Sequence, residues 1–390
     1  MGVIVGFERL LADPPREVTQ ARLGLLCNQA TVGRGWRPLW LELVKRFPGR
    51  VRALFSPQHG WWGEKQDNMV PSADGREPYT GLPVFSLYGE RLQPSAASLD
   101  LIDILLVDLP DVGTRVYTFA ATMAYAMQAA ARSGKKVIIL DRPNPIGGIQ
   151  VEGNMLKPEM ASIVGPYPLP MRHGLTLGEL ARYYGDVGQI DADLEVIPCQ
   201  GWERAQYFDA TGLPWVLPSP NLPTLDTAIV YPGQVLLEGT NLSEGRGTTR
   251  PFELCGAPYI DPLAVAAVLR QRYDLPGVVL RPTWFQPTFQ KWAGQVCGGW
   301  QLHVTNRQAY QPYFTTLALL QVIIELYPDH FHWRQPPYEF VHDRLPFDLL
   351  TGDPALRLGL ESHGALPELM ATWQDELASF LQQRNAYLLY

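Results

Sequence analysis

Four short apolar runs, at residues 23–27, 51–55, 104–108 and 137–141, constrain this fold more than any other feature. None alternates apolar with polar residues, and each gives way to polar or Gly/Pro-rich sequence. A strand that is apolar on both faces is covered on both faces, the condition of a parallel sheet between two layers of helices. An Ala-rich stretch at 117–133, closed by Gly134, supplies a helix between the third and fourth runs. This order predicts an α/β fold on a Rossmann-like, doubly wound sheet. Ligands in such sheets sit beyond the carboxyl ends of the strands, which points to residues 28–30, 56–60, 108–111 and 141–144.

Further along, Thr176 and Glu179 have capping-box spacing at the start of a helix at 176–186, and 194–198 reads as another strand. From Trp215 the sequence becomes rich in Pro and Gly, and a soft domain boundary is placed near residue 255. Residues 1–255 then form a Rossmann-like domain carrying most motifs. Residues 256–390 form a smaller α+β domain, with helices at 262–273, 312–327 and 366–383 and strands at 278–281 and 300–304. A length of 390 residues exceeds what one hydrophobic core usually serves. The 35 prolines imply long ordered loops, where binding sites concentrate.

A net charge of −7 argues against nucleic acid or an anionic membrane as partner, since both need a dense basic face. The four cysteines are scattered, with neither zinc-knuckle nor redox spacing, and the histidines lack metalloprotease spacing. No metal or cofactor is expected. The N-terminus lacks the basic start and apolar stretch of a signal peptide, and no run of about 18 apolar residues occurs, so a cytoplasmic location without membrane spans is expected. A nucleotide-dependent enzyme is disfavoured because no G-x-G-x-x-G follows the first strand. P-loop and G-x-S-x-G motifs are absent as well.

Two segments concentrate chemistry. The first, residues 56–68, follows a strand and combines Gln58, His59, Trp61, Trp62, Glu64 and Asp67. Flat aromatic faces beside amides and carboxylates suit a sugar ring, with Glu64 and Asp67 as candidate acids or bases and His59 as a donor. The same tryptophans also read as plugs at a core edge. The second, residues 238–253, packs Glu238, Asn241, Arg246, Arg250 and Glu253 among closely spaced glycines and threonines. Clustered carboxylates push one pKa upward, so an acid and a base arise from one residue type. Arg246 and Arg250 are candidate clamps for a substrate carboxylate; an ion-paired surface loop is the plainer reading. A third stretch, with Asp108, Arg115 and Tyr117, runs from a strand into a helix whose N-terminus suits an anion. Asn28 and Asn144 stand at other strand ends.

At these segments the chain resembles the NamZ-type exo-β-N-acetylmuramidase family, a bacterial family. The match runs in order through nearly the whole chain, and Tyr231-Pro-Gly followed by Glu238-Gly-Thr-Asn-Leu-Ser-Glu-Gly-Arg-Gly-Thr248 is its most specific part. The resemblance implies two domains with a cleft between them. It also implies a glycosidase of cell-wall recycling that releases N-acetylmuramic acid from the non-reducing end of peptidoglycan fragments, so that the partner is a small glycan. One position departs from the pattern: the family carries Pro-Glu-His-Gly, with the glutamate its presumed acid, where this chain has Pro57-Gln58-His59-Gly60. An amide cannot protonate a leaving oxygen. Either Glu64 or Glu238 then acts, or the protein binds glycan without efficient hydrolysis.

Overall fold

A computed structural model of the chain describes residues 2–390. Its strands are β1 (Leu23–Leu26), β2 (Val51–Ser56), β3 (Gly75–Arg76), β4 (Pro83–Ser86), β5 (Ile104–Val107) and β6 (Lys136–Leu140). They continue with β7 (Glu152–Met155), β8 (Pro170–Arg172), β9 (Leu194–Ile197), β10 (Leu254–Ala257), β11 (Val278–Phe285) and β12 (Cys297–Val304). The central sheet has the order β3-β4-β2-β1-β5-β6-β9. Every neighbouring pair is parallel except β3–β4. Numbered along the chain, the six parallel strands stand 3-2-1-4-5-6, the doubly wound order, with its switch point between β1 and β5.

The apolar strands are shared between two cores. Leu25, Leu54, Leu106 and Ile138 face one side, packed with Phe7, Trp40 and Leu43 from helices Gly6–Ala12 and Leu39–Arg46. Leu26, Phe55, Val107 and Ile139 face the other, with Met123, Met127 and Leu180 from helices Phe119–Arg132 and Leu177–Val187. Successive residues thus bury into different layers, which removes the alternation a one-sided sheet would show. The Thr176–Glu179 capping box forms: Glu179 N–H donates to Thr176 Oγ1 at 3.3 Å and Thr176 N–H to Glu179 Oε2 at 2.9 Å.

A smaller antiparallel sheet, β10-β12-β11, packs with helix Pro262–Arg272, which in turn packs on helix Pro312–Leu326. Here the structure differs from the sequence reading in three places. Strand β11 runs on to Phe285 through Pro282, which it can do because it is an edge strand. The single helix expected at 366–383 is two, Leu366–Ala371 and Gln374–Arg384, broken where Trp373 turns its buried side chain into the core. Tyr231-Pro-Gly, read as loop texture, lies inside helix Leu225–Gln234. Gly233 is required there, since a Cβ would stand 1.9 Å from the Pro312 carbonyl oxygen on the facing helix. That close approach carries the chain into the 3-10 turn Val235–Gly239, which holds Glu238. Among the described residues no helix is long and apolar enough to cross a membrane.

Candidate active site

Beyond the carboxyl end of β2 the chain turns sharply, with His59 and Gly60 both at positive φ, and Gln58 and His59 enter a cleft. Tyr117 and Thr118 enter from the start of helix Phe119–Arg132, Glu238 and Arg246 from the Gly-rich segment, and Tyr338 and Glu339 from a late loop. Elements far apart in sequence meet here because loops of a doubly wound sheet converge near its switch point.

Two carboxylates define the interior. Glu238 is 3% exposed. Its Oε1 lies 2.9 Å from an Arg246 nitrogen, and its Oε2 accepts from Asn68 Nδ2 at 3.1 Å and from the Tyr338 hydroxyl at 2.7 Å. Arg246 stands over the Phe252 ring and also nears Glu244, which Lys291 neutralises at 2.9 Å. Glu339 is 4% exposed. Its Oε2 accepts from the Tyr88 hydroxyl at 2.6 Å, and its Oε1 from Gln58 Nε2 at 3.2 Å. The Thr118 hydroxyl donates to Gln58 Oε1 at 2.6 Å, so the amide is held at both ends. Burial, reinforced by the nearby negative charge of Glu238, pushes the Glu339 carboxyl up to about 7.

Burial and, to a lesser degree, the Arg246 charge push His59 down to about 4, so the imidazole is neutral near pH 7. Its Nδ1 lies 2.8 Å from the Lys65 carbonyl, which only accepts; the proton therefore sits on Nδ1 and Nε2 is an acceptor. The Tyr117 hydroxyl lies in this cleft near Ser219, and the Arg246 guanidinium lies beside Glu238.

The structure brings Gln58, His59, Tyr117, Glu238 and Arg246 together out of the residues expected from sequence. The others stand apart from the cleft lining. Glu64 is exposed and accepts the Trp62 N–H of its own loop at 3.1 Å. Trp61 is a core plug, edge-on to Trp40 at 5.7 Å, while Trp62 is 42% exposed and leans toward Tyr79. Asp67 accepts from Gln290. Asn28 ties the end of β1 to the Pro218 carbonyl at 2.9 Å, next to Ser219 of the cleft wall. Asp108 is fully buried in a two-point pair with Arg142.

The Arg115 guanidinium is occupied by the carbonyls of Leu169 and Leu350 at 2.8 and 2.6 Å. Asn144 bonds Leu175 and Ile146 backbone groups, and Asn241 clips the His330 carbonyl at 2.7 Å. Arg250 pairs with Glu253 at 3.2 Å, and Glu253 also accepts from Thr227 at the start of helix Leu225–Gln234.

Glu339 was not legible from the sequence. It lies in Pro336-Pro-Tyr-Glu-Phe340, with no motif spacing to mark it, and its partner Gln58 is 281 positions away. Its local geometry is distinctive. Tyr338 and Val341 exchange both backbone hydrogen bonds at 2.9 Å, closing a two-residue turn with Glu339 at φ 46° and Phe340 at φ 64°. Positive φ at both central residues is the type I′ signature, a place for Asn-Gly. A glutamate and a phenylalanine there are strained, and such strain clusters at functional sites.

Comparisons with known proteins agree along the whole chain. Sequence models described as exo-β-N-acetylmuramidase NamZ, N-terminal and C-terminal, match residues 23–226 and 229–390. The peptidoglycan β-N-acetylmuramidase NamZ of Bacillus subtilis is 42% identical over 390 residues, covering 100% of this chain and 91% of that protein. Two crystal structures of DUF1343 family proteins from Bacteroides fragilis superpose with TM-scores of 0.89 and 0.77 at 29% and 30% identity, each covering 100% of this chain and 99% of the other. The chain belongs to the NamZ exo-β-N-acetylmuramidase family.

Proposed function

We propose that this chain is a glycosidase that removes N-acetylmuramic acid from the non-reducing end of peptidoglycan fragments. The observation that carries the reading is the pair of buried carboxylates, Glu238 and Glu339, in one cleft with Arg246. Glycoside hydrolysis needs an acid for the leaving oxygen and either a second carboxylate or the substrate's own acetamido group at the anomeric carbon. Glu238, fixed by Arg246, Asn68 and Tyr338, is the anionic group that faces the positive charge developing on the sugar ring. The Tyr117 hydroxyl and the Arg246 guanidinium, both on the cleft wall, bond the ring substituents, and the neutral His59 accepts from a sugar hydroxyl through Nε2.

The lactyl group distinguishes the substrate from N-acetylglucosamine, and a site that bonds it rejects the sugar lacking it. A nitrophenyl N-acetylmuramide should therefore be hydrolysed with a kcat/KM at least about 100-fold above that of the matching N-acetylglucosaminide. Equal rates on the two, or none on either, would contradict the assignment.

A further inference from the structure

We propose that Glu339 is the acid that protonates the leaving glycosidic oxygen in this chain, an assignment that rests on the glycosidase reading above. Gln58 has the position but carries no proton to give. Glu64, in the same loop as Gln58, spends its carboxylate on the backbone of that loop and is exposed. Glu238 is ion-paired with the Arg246 guanidinium and accepts from the Tyr338 hydroxyl, the arrangement of an acceptor rather than of a proton donor. Glu339 lines the cleft, is buried, and is bonded only to neutral groups, the Gln58 amide and the Tyr88 hydroxyl.

Those neighbours suit a group that gains and loses a proton. Thr118 and Tyr88 each carry a hydroxyl that donates or accepts, and the Gln58 amide presents either its oxygen or its nitrogen. The chain Thr118–Gln58–Glu339–Tyr88 thus reverses polarity when the carboxyl is protonated and leaves no bond unmet. The strained turn at Glu339 and Phe340 fixes the carboxyl at the cavity wall, at a cost the fold bears elsewhere. The charged and titratable groups around Glu339 are Tyr88, Glu238, Arg246 and its own neighbour Tyr338, with His59 on the same cavity.

In the reaction the bond from the anomeric carbon to the leaving oxygen breaks, and its electron pair stays with that oxygen. The oxygen takes the Glu339 proton. The acetamido oxygen closes on the anomeric carbon as the leaving group departs; a water then enters from the vacated face, its oxygen forms the new bond to the anomeric carbon as the acetamido oxygen leaves, and the proton it sheds returns to the Glu339 carboxylate.

A natural disaccharide and a nitrophenyl N-acetylmuramide separate this role from a structural one, because nitrophenolate leaves without help from an acid. Glu339→Gln should lower kcat on the disaccharide by about 100-fold or more while losing under about 10-fold on the nitrophenyl glycoside. Glu238→Gln should lower both. Wild-type protein gives an independent readout. A carboxyl at about 7 is protonated below that pH and ionised above it, so disaccharide turnover should fall as pH rises through about 7 while nitrophenyl turnover persists. Equal losses on both substrates in Glu339→Gln, no loss on either, or superimposable wild-type pH profiles would overturn the assignment of Glu339 alone. Wild-type protein inert on both substrates would overturn the glycosidase reading and this assignment with it.

Discussion

At the residue scale, the cleft is a lesson in how far a side chain's type stands from its use. Arg115 and Arg246 look alike in sequence, yet one is spent on backbone carbonyls away from the cleft and the other lines it, paired with Glu238. Asp108 and Glu238 are both buried acids held by arginine, but only Glu238 lines the cavity. The sequence shows residue types and local spacing; it does not show which long-range partner claims each one. Glu339 is the extreme case, since its raised pKa comes from burial in the fold and from the charge of Glu238, and its hydrogen-bond partners Tyr88 and Gln58 are remote in the chain. The Gln58 position tests this coupling. Gln58→Glu would put a second carboxyl in contact with Glu339, and like charges so close disfavour ionisation of the pair. The fall in disaccharide turnover on the alkaline side should then move to higher pH by about one unit or more. An unmoved profile in a folded variant would show that position 58 and the acid are not coupled.

At the element scale, strands and amphipathic helices were readable because burial on a periodic backbone leaves a periodic trace. Strands β1, β2, β5, β6 and β9 of the parallel sheet and the Thr176–Glu179 cap fall where the pattern places them, whereas β4, only partly buried, was not read. Helix Leu225–Gln234 was hidden by Pro232 and Gly233, residues that usually punctuate structure. Here the glycine serves helix packing instead, and the segment it positions ends at Glu238. Gly233→Ala should force the facing backbone apart, costing about 1–3 kcal/mol in urea unfolding and lowering kcat on either substrate. Unchanged stability would mean that the contact with Pro312 is not what fixes this segment. The turn at Glu339 and Phe340 was unreadable for the opposite reason: its sequence violates the preference that would announce it.

At the scale of the whole molecule, one hydrophobic core runs from Leu26 and Phe55 of the parallel sheet to Trp300 of the small sheet and Tyr387 near the end of the chain. The loops that build the cleft are anchored to this shared core from both sides, so Gln58, Glu238 and Glu339 meet without adjacency in sequence. That the two charged segments belong to one region was implied by family resemblance, and the structure brings the first through Gln58 and His59 and the second through Glu238 and Arg246. The measurement that bears most directly on this reading is product analysis by mass spectrometry on a peptidoglycan glycan ending in N-acetylmuramic acid at its non-reducing end. Wild-type protein should release N-acetylmuramic acid from that terminus, leaving a chain that begins with N-acetylglucosamine and is cut no further. Internal cleavage into larger fragments, or an intact glycan after prolonged incubation, would contradict it.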